Sequence, residues 1–99
     1  MSLLVRYTLN DADGHAAQTS SMEDLVSGLV SEGVTGVSYS CFSTDNPVEF
    51  IGILEFDDDA GKDAFLQSAA FAAYREKVGP TFANPPQTTE IAAIASTRG

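Results

Sequence analysis

The chain has 99 residues, of which 43% are hydrophobic and 19% charged, so it is long enough for one globular domain and too apolar for disorder. Its 14 acidic and five basic residues give a net charge of −9, which argues against nucleic acid or an anionic membrane as a partner. The single cysteine, Cys41, excludes an intrachain disulfide. The sequence also has no signal-peptide pattern and no long apolar run, so we expect a cytoplasmic protein.

The first predicted element is a strand over Leu3–Leu9. Its alternate residues are apolar and should lie on a core, whereas Arg6 belongs to the opposite face. A turn-rich loop over Asn10–Thr19 follows and contains His15. A helix is then predicted from Ser20, because Ser20 and Glu23 have the spacing of a capping box. Its apolar stripe is Met22, Leu25, Val26, Leu29 and Val30, and Gly33 supplies a left-handed stop.

Two further strands are predicted over Val34–Ser43 and Val48–Phe56, and the turn residues between them indicate a hairpin. The third strand is apolar on both faces, which predicts that one face packs on helices and the other on a partner. Asp57, Asp58 and Asp59 open a second helical region, because acidic residues complement the positive end of a helix. That position explains them better than metal binding does, so no metal site is predicted.

The second helical region has a second short stretch from Ala69 and ends near Gly79, and a loop over Thr81–Gln87 leads to a last strand over Thr88–Ala95. The resulting β-α-β-β-α-β order predicts an α+β, ferredoxin-like fold with a four-stranded antiparallel sheet and helices on one face, in a single domain over 1–99. The other face would be bare and apolar, so we expect a homodimer whose two sheets meet and enclose a cavity.

The stretch Glu55–Ser68, followed by Phe71 and Tyr74, resembles the dimeric α+β barrel proteins of the antibiotic-biosynthesis-monooxygenase type. In that family a strand ends in an acidic and aromatic pair, an acidic turn follows, and a helix reading much like His-Leu-Gln-Ser precedes a short aromatic helix. The family's helix histidine falls at Phe65 here, a frequent acidic position falls at Leu54, and the chain has no Trp.

The resemblance implies a cofactor-independent monooxygenase that acts on an aromatic or polyketide-like small molecule, without metal, haem or flavin. In such a mechanism the substrate anion reduces O₂ itself, and the protein supplies a dry pocket, orientation and charge stabilisation. Two alternatives stay open on the same barrel. One is a protein that binds an apolar ligand without catalysis, as in stress-related proteins; the other is a polyketide isomerase or cyclase.

Four residues are candidates for catalysis: Arg6, Tyr39, Tyr74 and His15. Arg6 lies mid-strand opposite the apolar set, where it can stabilise an oxyanion, or else form a salt bridge at the dimer contact. The tyrosines are phenolic donors, although Tyr39 lies on the same strand face as Val37 and Cys41, which also fits a core position. His15 lies on the loop after the first strand, which could cover the cavity. Substrate binding is predicted for Ser38, Ser40, Phe42, Phe56, Phe65, Phe71 and Asn84. Cys41 is predicted to be a small, inert side chain.

Overall fold

The computed structural model describes residues 1–97 as an antiparallel sheet covered on one face by helices. The strand order is β2-β3-β1-β4, so the central pair is formed by the third and first strands. This arrangement confirms the ferredoxin-like fold. The elements are β1 (Ser2–Thr8), α1 (His15–Ser31), β2 (Val37–Ser43), β3 (Glu49–Phe56), α2 (Asp59–Leu66), α3 (Ala69–Val78) and β4 (Gln87–Ile91), with short 3₁₀ turns at Ala12–Gly14 and Gly79–Thr81.

The central strand β3 presents an apolar surface to both sides of the sheet. Phe50, Leu54 and Phe56 are buried on the side of the helices. Ile51 and Ile53 alternate with them and are only half-buried on the outer side. Because successive side chains of a strand point to opposite faces, this alternation divides the strand between the core and an uncovered surface.

The first helix begins at His15, so the predicted start at Ser20 is wrong. Gly14 precedes the helix without a side-chain cap, and a 3₁₀ turn capped by Asp11 leads into it. Ser20 lies inside the helix, where backbone N–H groups already bond the preceding turn, and a capping box has no role there. The buried stripe extends one turn further back than predicted and is formed by Gln18, Ser21, Met22, Leu25 and Leu29. Val26 and Val30, which were predicted to belong to it, are exposed.

The second helical region consists of two separate helices. Asp58 caps α2 by accepting a hydrogen bond from the Gly61 N–H at 2.9 Å, as expected for an acidic helix start. Ser68 caps α3 through the Phe71 N–H at 3.1 Å. Glu32, at the end of α1, accepts from the N–H groups of Ala69 and Ala70 at 2.9 and 2.8 Å and so ties α3 to α1.

Two strands are shorter than the sequence predicts. β2 begins only at Val37, because Gly33 and Gly36 have positive φ angles of 70° and 78° that end α1 and turn the chain. β4 ends at Ile91, which pairs with Ser2 at the start of β1, so the residues beyond it have no strand alongside. No helix within residues 1–97 has the length and hydrophobicity to cross a membrane.

Candidate ligand cavity

A cavity of about 550 Å³ lies between the sheet and the helices α2 and α3. The strands β1 and β3 form its floor through Leu3, Val5 and Leu54, and the segment after α3 closes one side. Its walls carry six aromatic rings: Tyr7, Phe56, Phe65, Phe71, Tyr74 and Phe82. An apolar chamber of this volume with a few polar groups has the properties of a small-molecule site.

The aromatic wall is built around Phe65. Its ring centroid lies 4.5 Å from that of Phe71 and 6.1 Å from that of Phe56, so α2, α3 and β3 meet there. Offset contacts of this kind hold aromatic rings in a defined orientation. The guanidinium carbon of Arg75 lies 5.0 Å from the centroid of Phe71, which places a cation against this aromatic wall.

Three tyrosines lie in or next to the cavity lining. The hydroxyls of Tyr7 and Tyr39 lie 3.1 Å apart, within hydrogen-bonding distance. Tyr74 accepts a hydrogen bond of 2.8 Å from the buried Gln18 amide, and its ring meets that of Tyr7 edge-on at 6.3 Å. Tyr7 and Tyr74 line the cavity, whereas Tyr39 lies behind Tyr7.

Burial keeps these hydroxyls protonated. Desolvation is the largest cause that raises the pKa of each of Tyr7, Tyr39 and Tyr74 above the usual value of tyrosine. The neighbouring Tyr7 raises the pKa of Tyr39 and Tyr74 further. At neutral pH the cavity hydroxyls are therefore hydrogen-bond donors or acceptors, and they are poor bases.

Five of the residues predicted from the sequence line the cavity. They come from β3, α2, α3 and the loop before β4: Phe56, Phe65, Phe71, Tyr74 and Asn84. The fold thus brings together side chains that are far apart in the chain. Tyr39 contributes to the cavity wall only indirectly, because its hydroxyl contacts the hydroxyl of Tyr7.

The other predicted residues lie elsewhere. Arg6 is exposed on the outer face of the sheet, which it shares with Ser38, Ser40 and Phe42. Their side of the sheet is the one without helices, so they do not line this cavity. His15 lies at the start of α1, where Nδ1 is 2.9 Å from the Pro47 carbonyl oxygen and the ring packs 4.9 Å from Phe50.

The half-buried Cys41 has a raised pKa because burial disfavours its thiolate. A raised pKa lowers the thiolate fraction at neutral pH, which agrees with the inert role expected for Cys41.

Sequence reasoning did not single out Tyr7, Gln18, Lys62, Arg75 or Phe82 as site residues. Tyr7 carried a signal, since it is the one residue with a hydroxyl among the alternating core positions of the first strand. Gln18 lies four residues before Met22 and hence on the buried face of α1, but its neighbour Tyr74 is 56 positions away. Only the folded chain reveals that pairing.

Comparison with solved structures supports the fold. A protein of Bacteroides thetaiotaomicron named as a candidate antibiotic biosynthesis monooxygenase superposes with a TM-score of 0.84 at 12% identity, covering 98% of this chain and 91% of that one. A structure named antibiotic biosynthesis monooxygenase gives 0.77 at 14% identity, covering 96% and 100%. SnoaB, a cofactor-independent oxygenase from Streptomyces nogalater, gives 0.76 at 12% identity, covering 99% and 96%.

These likenesses establish the architecture of the chain. It has the α+β fold of the antibiotic-biosynthesis-monooxygenase structures, which agrees with the resemblance seen in residues 55–74. No family model and no curated protein matches the sequence. Because one fold carries many chemistries, the function has to be argued from the cavity.

Proposed function

We propose that the protein binds a planar aromatic or polyketide-like molecule in this cavity and acts on it as a cofactor-independent monooxygenase. The observation that carries the proposal is a chamber of about 550 Å³ walled by six aromatic rings, two of which belong to the tyrosines Tyr7 and Tyr74. Flat rings pack well against such walls, and the hydroxyls can orient one oxygen of the ligand.

The chemistry is driven by the substrate. A phenolic ring system with an activated CH₂ group releases a proton to water, which later returns one to the peroxide, and leaves a carbanion whose charge is delocalised onto the phenolic oxygen. The neutral hydroxyls of Tyr7 and Tyr74 donate hydrogen bonds to that oxygen. The carbanion transfers an electron to O₂, the resulting radicals combine to a peroxide, and loss of water leaves a carbonyl. The CH₂ group and O₂ thereby become C=O and H₂O, with the substrate as the only reductant.

Oxygen uptake by metal-stripped protein tests the proposal, with anthrones and hydroquinones as substrates and no added cofactor. We expect uptake above the protein-free rate. Tyr74→Phe and Tyr7→Phe should each lower kcat by about 10²-fold, the effect of removing one oxyanion donor. Glu76→Gln, an exposed change on the same helix as Tyr74, is the matched control and should leave the rate unchanged. Uptake equal to the protein-free rate for every substrate would refute the oxygenase proposal.

The second candidate is a binding protein without catalysis. Within residues 1–97 the cavity lining contains no carboxylate and no histidine, and its tyrosines are held protonated. The described cavity lining thus offers no base at neutral pH to start the reaction, which favours substrates that ionise by themselves or ligands that are only stored. Ligand binding without oxygen uptake would identify this candidate, and a changed product without uptake would indicate an isomerase or cyclase.

We further propose a homodimer formed through the outer face of the sheet. Leu4, Ile51 and Ile53 lie there, and Phe42 and Ile91 are 48% and 38% exposed. Beyond β4 the side chain of Ile94 is fully exposed, at 101%. An apolar surface of this kind is unfavourable in water and is typical of a contact between subunits. In such a dimer Arg6, Ser38 and Ser40 would lie between the two sheets.

A further inference from the structure

The charged residues that line the cavity are cationic, whereas the chain as a whole is acidic. The protein has 14 acidic and five basic residues, yet the cavity lining includes two cations, Lys62 and Arg75, and no Asp or Glu. The acidic residues close to Lys62 along α2, Asp58, Asp59 and Asp63, are exposed and lie outside the lining. A positive site on a strongly negative protein is a local feature that the overall composition does not predict.

The two cations come from different helices and are held in different ways. Lys62 lies in the first half of α2 and is half-buried at the cavity, as is common for lysines whose hydrocarbon stem covers apolar surface. Arg75 lies in the last turns of α3, with its guanidinium against the ring of Phe71. No carboxylate within residues 1–97 forms an ion pair with either group. Both charges are therefore available to a ligand.

From this arrangement we infer that the cavity selects a ligand with an apolar ring body and one carboxylate, whose charge is held by Lys62 and Arg75. The inference rests on the proposed ligand-binding function and names the determinants of its specificity. The ring body packs among Phe56, Phe65 and Phe71, and the carboxylate accepts charge-assisted hydrogen bonds at the cationic rim. Arginine suits this task, because its planar fork matches the two oxygens of a carboxylate.

The test compares two probes with the same rings. An anthraquinone bearing one carboxylate and the same anthraquinone bearing a neutral carboxamide are titrated into the protein by calorimetry. We expect the carboxylate to bind roughly tenfold more tightly, as one additional hydrogen bond to a charged group provides. The ratio of the two affinities is the readout, because a loss of packing weakens both probes alike.

Three variants locate the source of the preference. In the double variant Lys62→Gln with Arg75→Gln the ratio should fall to about one, and Arg75→Lys should retain part of it because the charge remains. Lys77→Gln is the matched control, since Lys77 is an exposed cation on α3 that does not line the cavity. This variant should keep the wild-type ratio of the two probe affinities. A preference that survives in the double variant would overturn the assignment to these two cations.

The outcomes separate this inference from the proposed function. If both probes bind the wild-type protein equally, the ligand cavity stands and selection for an anion is wrong. If neither probe binds the folded wild-type protein, the ligand-binding proposal fails and the inference fails with it.

Discussion

The ring of Tyr39 lies across the Cα atom of Gly52. A Cβ atom at Gly52 would be 2.9 Å from Cε1 of Tyr39 and 3.0 Å from its hydroxyl oxygen. Gly52 lies on β3, between β2 and β1. Because it has no side chain, the side chain of Tyr39 on β2 can cross β3 and reach the hydroxyl of Tyr7 on β1. One glycine in the central strand thus allows two tyrosines on non-adjacent strands to meet behind the cavity.

The first prediction concerns the space over Gly52 that the Tyr39 ring occupies. Gly52→Ala should displace Tyr39, break its contact with Tyr7, and lower the free energy of unfolding by roughly 1–3 kcal/mol, as overpacking does. Urea denaturation followed by circular dichroism measures the change. Gly79→Ala is the control, because a Cβ atom there meets no atom within 4 Å and the backbone is helical. Equal urea midpoints for Gly52→Ala and the wild type would show that Tyr39 can move away without a loss of unfolding free energy.

The second prediction concerns the buried pair Gln18 and Tyr74. The Nε2 group of Gln18 donates to the Tyr74 hydroxyl, and its Oε1 atom has no partner within residues 1–97. Tyr74→Phe should therefore cost about 1–3 kcal/mol of unfolding free energy, since it leaves the whole amide buried without a protein partner.

Adding Gln18→Leu to Tyr74→Phe should restore most of that loss, because an apolar pair of similar shape leaves no polar group unsatisfied. A double-mutant cycle by urea denaturation gives the coupling energy. A double variant as unstable as the sum of the two single variants would mean that the two side chains act independently.

The third prediction concerns alkaline pH. Burial raises the pKa values of Tyr7, Tyr39 and Tyr74, which are all the tyrosines of the chain. The unfolded chain loses these protons near the ordinary tyrosine pKa of about 10, whereas the folded chain retains them. The contribution of the three protonated tyrosines to the free energy of unfolding is thus complete below pH ~10 and declines as the pH rises further.

We expect the near-ultraviolet absorbance of tyrosinate to appear only together with unfolding, as seen by circular dichroism during the same titration. In guanidinium chloride the three tyrosines should ionise with the ordinary pKa. A tyrosine that titrates normally while the far-ultraviolet signal remains native would contradict the buried arrangement.

The fourth prediction concerns assembly. Light scattering should give twice the chain mass of 10.4 kDa at micromolar concentration. Ile53→Asp, on the outer face of the sheet, should shift the protein towards the monomer, because it places a charge in the proposed apolar contact. Val30→Asp alters a side chain on α1 that is already 76% exposed and should leave the mass unchanged. A wild-type monomer would exclude the proposed dimer.

The amino-acid sequence by itself determined the order of the elements and the core-facing residues of β1. Both follow from local patterns: Leu3, Val5 and Tyr7 recur at every second position of β1, whereas β3 is apolar on both faces, and Gly33 ends α1 in a left-handed conformation, as predicted. The start of α1 was missed, because Gly14 offers no side-chain cap and Gln18 interrupts the apolar stripe. The predicted extension of β4 past Ile91 failed because β1 begins at its partner Ser2.

Tertiary structure alone decided where the proposed ligand cavity lies. Leu54 and Phe56 turn to the helices, so this cavity of about 550 Å³ lies on the covered side of the sheet and not on the bare one. The tyrosine hydroxyls meet through contacts between residues 32 positions apart, and Gln18 reaches Tyr74 across 56 positions. Such pairings depend on how strands and helices stack, and periodicity within one element carries no information about distances between elements.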